Sequence, residues 1–220
     1  MFDASTAILS THAIRYGRDA WLVEFAEEAG DESFAIAAML REQLEKHPPP
    51  HLSEFCFAYT RVLLEFASEQ CPTQAPEFFS MEQRPHAARK RIIEVCYDGE
   101  DLQRVAQHCH LTVDEVIAVH SSARYRVHFL GFAPGFPYLS GLPARLNTPR
   151  LDSPRTRIAA GSVGIGGAQT GIYPLPTAGG WNIIGRMQDP LFDPSAPLAE
   201  CTLLRAGDEL EFRAVTSFSR

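Results

Sequence analysis

The sequence predicts an α+β protein in two parts. A small N-terminal α+β domain with its linker spans residues 1–84, and a β-rich domain spans residues 85–220. Three observations carry this. Helical periodicity is confined to the region before Tyr125. After Tyr125 only short apolar runs remain, among them YRVHFLGFA, RIAAGSVGIGG, TGIYPL, WNIIGRM and DELEFRAV. Gly and Pro separate them, the pattern of a barrel or sandwich. Between the parts lies Ala67–Ala88, polar, proline-bearing and without a period, which reads as a linker.

Taken in order, Ala20–Ala26 (AWLVEFA) predicts a strand. Asp31–His47 predicts a helix, because Ile36, Met39, Leu40 and Leu44 share one face at helical spacing. Pro48, Pro49 and Pro50 forbid its continuation. Leu52–Phe66 reads as one or two strands, so the unit is strand, helix, strand. Arg91–Gly99 is a strand ending in a turn. Two short helices follow. The first puts Leu102, Val105, Ala106 and Cys109 on one face; the second opens with a capping box, Thr112 with Glu115, and a Leu111–Val116 staple.

The 220 residues are enough to bury a sizeable core, and 45% hydrophobic with 21% charged content is ordinary for a globular chain. No run of about 18 apolar residues predicts a membrane span. The N-terminus lacks the basic and apolar regions of a secretory signal. Five scattered cysteines without a CxxC argue against a disulfide scaffold and for a cytoplasmic, reducing setting. Residues 1–120 carry 10 basic and 20 acidic residues, whereas 121–220 carry 10 arginines against 7 acids. The acidic half argues against nucleic-acid binding, and the positive half suits a small anion. Only Lys46 and Lys90 exist, so no Schiff-base or P-loop lysine lies in the C-terminal part.

GSVGIGG (Gly161–Gly167) lacks both the GK[ST] ending of a P-loop and the G-x-G-x-x-G order, and no helical pattern follows it. Its glycines are expected where another backbone or a ligand comes close. There is no G-x-S-x-G elbow and no H-E-x-x-H, so neither a serine triad nor a metal site has support. His128, within a strand-like run, is a candidate functional imidazole. Arg145, Arg150, Arg155 and Arg157 alternate with prolines, which fits either an anion site or a solvated face of ion pairs. Tyr173 and Trp181 line a pocket or plug a core. Phe136–Pro137 and Tyr173–Pro174 are candidate cis bonds.

The string YRVHFLGFAPGFPYLSGLP, followed by PRLDSPRTRIAAGSVGIGGAQTGIYPLPTAGGWNIIGR, resembles the signature of the family of the B subunit of bacterial 5-oxoprolinase. That family includes the sporulation kinase inhibitor KipI and proteins called allophanate hydrolase subunit 1, and part of the carboxyltransferase region of urea carboxylase is similar. The resemblance covers essentially the whole chain and is densest from Tyr125 to Arg186. It implies a cyclophilin-like β-barrel after the N-terminal unit. It implies a subunit that works with a C subunit and an A subunit, using ATP, with Mg, to open 5-oxo-L-proline to L-glutamate. It also leaves open a KipI-like inhibitor of a sensor histidine kinase, or a carboxyltransferase-like component acting on urea or allophanate. His128, Phe132, Phe136, Tyr138, Arg150, Arg155, Gln169, Tyr173 and Trp181 are its substrate- or anion-binding candidates, without a catalytic role for any. The chain departs from the family pattern at TAGGW, where Ala178 stands for a proline, and at AAGSVGIGG.

Overall fold

The computed structural model describes residues 11–28, 31–78, 89–197 and 200–218. Two compact units divide the chain, Met1–His86 and Ala87–Arg220.

In the first unit, β1 (His12–Tyr16), β2 (Ala20–Glu24), β3 (Leu52–Ala58) and β4 (Arg61–Phe66) form an antiparallel sheet in the order β1-β2-β4-β3. Leu52–Phe66 is thus two strands of a hairpin, and β1 adds a strand whose short, mostly exposed HAIRY run carries no apolar alternation. Helix α1 (Asp31–Lys46) covers one face. It buries Leu40 and Leu44 against Val23, Phe57, Val62 and Leu64, and Ile36 and Met39 pack at the edge of this core. The expected linker contributes to this unit as far as Phe78, which is buried in the same core. The Pro72 carbonyl accepts from Trp21 Nε1 at 3.0 Å and from Arg15 at 2.8 Å. The remainder of that stretch, with the 84/85 boundary, lies outside the described residues.

The second unit is a closed barrel of seven strands. They are β5 (Lys90–Cys96), β6 (Arg124–Leu130), β7 (Pro137–Ser140), β9 (Ser162–Gly166), β10 (Gln169–Ile172), β12 (Asn182–Arg186) and β13 (Glu209–Val215), in the order β10-β7-β6-β13-β5-β12-β9. A side ribbon pairs β8 (Arg155–Ile158) with β11 (Thr177–Gly179). The last strand, β13, lies parallel to β5 over Lys90–Cys96 and antiparallel to β6, and so closes the gap between them. Helices α2 (Leu102–Cys109) and α3 (Val113–Ser122) connect β5 to β6. α2 ends with His110 in the left-handed conformation, its N–H bonded to Ala106 O and Gln107 O. α3 carries the capping box: Glu115 N–H donates to Thr112 Oγ1 at 3.2 Å, and Thr112 N–H to Glu115 Oε2 at 2.7 Å. The helices' apolar faces join the inward residues of the strands in one core, with Leu102, Val105 and Val116 beside Val127, Leu139, Ile165, Ile184 and Leu210.

α3 also delivers His120 into that core, fully buried. Thr170 Oγ1 donates to Gly164 O at 3.0 Å, so it accepts from His120 Nε2 at 3.0 Å. Nδ1 then accepts from Tyr97 Oη at 2.8 Å, and the tautomer is settled by its partners. The ring stacks on Phe212 at 4.7 Å. Desolvation holds its pKa down at about 3, so the imidazole is neutral and structural.

Candidate functional site

Side chains on successive strand residues point to opposite faces. On β7, β10, β9 and β12, Leu139, Thr170, Ile165 and Asn182 face inward in one register row. The next row, on the outer wall, is Tyr138, Gly171, Gly164 and Ile183. Gly166, two residues on from Gly164, faces the same way. The wall is therefore paved with glycine where the motif string is densest.

Aromatic rings lie on this paving. A Cβ on Gly166 would stand 2.5 Å from Trp181 Cδ1, and one on Gly171 would stand 3.0 Å from the Phe136 ring. One on Gly179 would stand 2.4 Å from Tyr173 Oη. Within GSVGIGG, Gly166 thus serves ring contact, whereas a Cβ on Gly161 would meet the Met187 carbonyl and one on Gly164 the Asn182 carbonyl and Trp181 Cβ. Phe136 sits at the centre, edge-on to Tyr173 at 5.2 Å and to Trp181 at 5.5 Å, with Tyr138 at 5.0 Å. With Ile158 and Ile183 these rings form a cluster separate from the barrel interior. Phe132 caps it, 5.4 Å from Phe136 and 61% exposed. Its φ is +69°, the centre of a tight turn in which Ala133 N–H donates to Gly131 O. That geometry is strained for a bulky residue.

Phe132, Phe136, Tyr138, Arg150, Tyr173 and Trp181, with Gly179 and Gly180, enclose a cavity of about 80 Å³. Six of the nine candidates therefore meet. The Arg150 guanidinium stands 5.8 Å over the Trp181 ring and makes no ion pair among the described residues. Its backbone is pinned on both sides. Pro149 O accepts from Asn182 Nδ2 at 2.9 Å, and Leu151 N–H donates to Gly180 O at 2.7 Å. Burial pushes the Tyr173 and Tyr138 phenols up, against the lowering pull of Arg150. Both stay protonated near neutrality.

Three candidates lie elsewhere. Arg155 is already neutralised: Nε meets Glu100 at 2.9 Å and Nη2 meets Asp101 Oδ1 at 2.8 Å. The hydrogen bond to Asp101 raises its pKa. His128 is buried at a register shift in β6, its ring edge-on to Phe129 at 6.3 Å, and does not line the cavity. Gln169 opens β10 opposite Gly166, also outside the lining. Both Phe136–Pro137 and Tyr173–Pro174 are trans. Pro137 is the first residue of β7, where its missing N–H costs nothing, and Tyr173 continues the extended ladder through Ser162 O at 2.9 Å.

Two positioning residues had no signal in the sequence. Asp101 does not cap α2; its second oxygen accepts from Ile183 N–H at 2.7 Å, tying the helix start to the strand beneath the cluster. Asn182, fully buried, receives Arg104 on its oxygen and gives its amide protons to Pro149 and Ile165. Only their partners in space, 17 to 82 residues away, distinguish them.

The cavity offers aromatic faces, phenol hydroxyls and one guanidinium without an ion pair among the described residues, and its lining holds no carboxylate, imidazole, thiol or amine. This is binding chemistry for a small flat group bearing negative charge.

Residues 12–203 match the family described as carboxyltransferase domain, subdomain C and D. The chain belongs to that family. It is 38% identical over 216 residues to the B subunit of 5-oxoprolinase from Bacillus subtilis, covering 89% of each chain. Among solved structures it is similar to TTHA0988, with a TM-score of 0.77 and 34% identity, covering 91% of this chain and 41% of that one. It also shares the fold of part of the Kluyveromyces lactis urea carboxylase, with a TM-score of 0.71 at 20% identity over 95% of this chain and 23% of that one. The cyclophilin-like barrel with an α+β unit is thus the fold of this family member. Among the described residues no helix is long and apolar enough to cross a membrane.

Proposed function

We propose that this chain is a non-autonomous subunit of an ATP-dependent 5-oxoprolinase. Its outer-wall cavity holds the lactam ring of 5-oxo-L-proline against Phe136 and Trp181, with the substrate carboxylate on Arg150. The observation that carries this reading is the similarity, along most of both chains, to a 5-oxoprolinase B subunit, together with an aromatic cavity whose single unpaired cation suits a carboxylate.

Among the described residues, neither the aromatic cavity nor the larger cavity of the N-terminal unit suits ATP. The aromatic cavity, about 80 Å³, is far below the several hundred that a nucleotide needs. A larger cavity of about 590 Å³ in the N-terminal unit is lined by Pro48, Pro49, Pro50, Pro72, Pro76 and Phe78 among others, without Arg or Lys. ATP and its Mg are read as shared with a partner subunit, and no step through them is assigned to this chain. The decisive assay is glutamate release from 5-oxoproline with the chain, its partner subunits and ATP. Release that needs all of them supports the reading; release without this chain, or none with the full set, overturns it.

Phe132 favours a second reading. A strained, exposed aromatic at the rim is what a protein-binding surface presents. A KipI-like role predicts inhibition of histidine-kinase autophosphorylation by the chain alone, lost in Phe132→Ala.

A further inference from the structure

The face of the N-terminal sheet turned away from α1 has the composition of an interface. Directly opposed residues share a face, so its rows follow from the register. One row crosses all four strands as Ile14, Leu22, Leu63 and Cys56. None of the four is buried, and Ile14 is 52% exposed. The next row is Tyr16, Ala20, Glu65 and Glu54, with Tyr16 60% exposed. The third is His12, Glu24, Arg61 and Ala58, where Arg61 pairs with Glu24 at 2.9 Å. A solvated antiparallel face ordinarily turns polar residues outward. Here an apolar stripe runs across its middle.

The charges beside the stripe point to what covers it. Glu54 and Glu65 stand directly opposite one another on adjacent strands, both exposed. Among the described residues neither carboxylate forms an ion pair, and like charges in that arrangement repel. Residues 1–86 carry 14 acidic residues against 6 basic ones. Two copies meeting through this face by a two-fold axis would set acid against acid.

We propose that this face docks another subunit of the same assembly, one presenting an apolar anchor to the Ile14–Leu22–Leu63 stripe and a Lys or Arg to Glu54 and Glu65. The proposal rests on the reading that the chain works only in a complex. The apolar stripe supplies affinity, and the bridged carboxylates supply orientation and partner choice.

The test is titration calorimetry of the full chain against the purified partner subunits, with melting curves of each variant alone. Glu54→Lys places a cation opposite Glu65, so the free chain gains about 1–3 °C in melting temperature. Its affinity for the partner nevertheless falls about tenfold or more. A residue with a structural role alone would not move the two in opposite senses. Ile14→Asp keeps the melting temperature and weakens binding about a hundredfold. If wild-type complex forms and both variants bind as tightly, the docking face is wrong and the assembly reading stands. If the wild-type chain binds no partner subunit, both fail. Self-association abolished by Ile14→Asp assigns the face to a second copy and overturns the proposal.

Discussion

The inner and outer faces of the same four barrel strands follow opposite rules. Inward, Leu139, Ile165 and Thr170 fill space, and each buried polar group is matched, as His120 is between Tyr97 and Thr170. Outward, Gly164, Gly166 and Gly171 leave space, which Trp181 and Phe136 at the strand ends occupy, and Arg150 makes no ion pair among the described residues. The inside holds the barrel together and is chemically silent. The outside packs a second, smaller buried cluster and keeps a binding surface at its rim. Two of the three arginines of TPRLDSPRTR show the same division: Arg155 is tied to Glu100 and Asp101, while Arg150 makes no ion pair among the described residues.

The division breaks if the two faces respond alike to substitution. The largest expected effect is inside. Ile165→Ala costs about 2–5 kcal/mol of unfolding free energy by denaturant titration, and the folded fraction keeps its substrate affinity. Outside, Gly166→Ala drives a methyl into the Trp181 indole. The expected result is about a hundredfold loss of partner-dependent glutamate release, with a smaller loss of stability of about 1–3 kcal/mol. Equal activity in this variant would show that Trp181 does not work from its present seat.

The arginines sharpen the contrast. Arg155→Ala strands the buried Asp101 carboxylate and lowers the melting temperature by several degrees, roughly 1–3 kcal/mol. Arg150→Ala leaves the melting temperature within about 1 °C, since an exposed side chain without an ion pair is removed.

The pH dependence separates the faces most gently. His120 is neutral in the fold, with its pKa held at about 3 against 6.5 when unfolded. The unfolded chain takes up the proton first, so stability is complete above pH 6.5 and falls as pH drops from there toward 3. Between pH 7.5 and 5.5 the loss is about 1.4 kcal/mol from this group. His120→Gln removes that slope in pH-dependent denaturation; an unchanged slope would assign it to other groups.

Much of the local structure was legible from the residues. The periodicity of Ile36, Met39, Leu40 and Leu44 marks α1, and Thr112 with Glu115 marks the start of α3, because helices are built from contacts three and four residues apart. The barrel's closure was not. β13 joins β5 through partners about 120 residues away, and neither strand carries a local sign of the other. The aromatic residues and Arg150 were legible as a group because the motif string holds them together. Which arginine is open was not, since it depends on Asp101 and Asn182, placed by the fold. The purpose of GSVGIGG was readable only as closeness of something; that something is an indole ring at Gly166 and a backbone carbonyl at Gly161 and Gly164.

The most direct measurement compares substrates in the reconstituted enzyme: competitive inhibition by 2-pyrrolidinone, which lacks the carboxylate, and KM for 5-oxo-L-proline, each with wild type and Arg150→Ala. If the outer-wall cavity binds substrate through Arg150, the substitution raises KM for 5-oxo-L-proline by about 10–100-fold and leaves the 2-pyrrolidinone inhibition constant unchanged. An unchanged KM, or an equal loss for both lactams, contradicts the account.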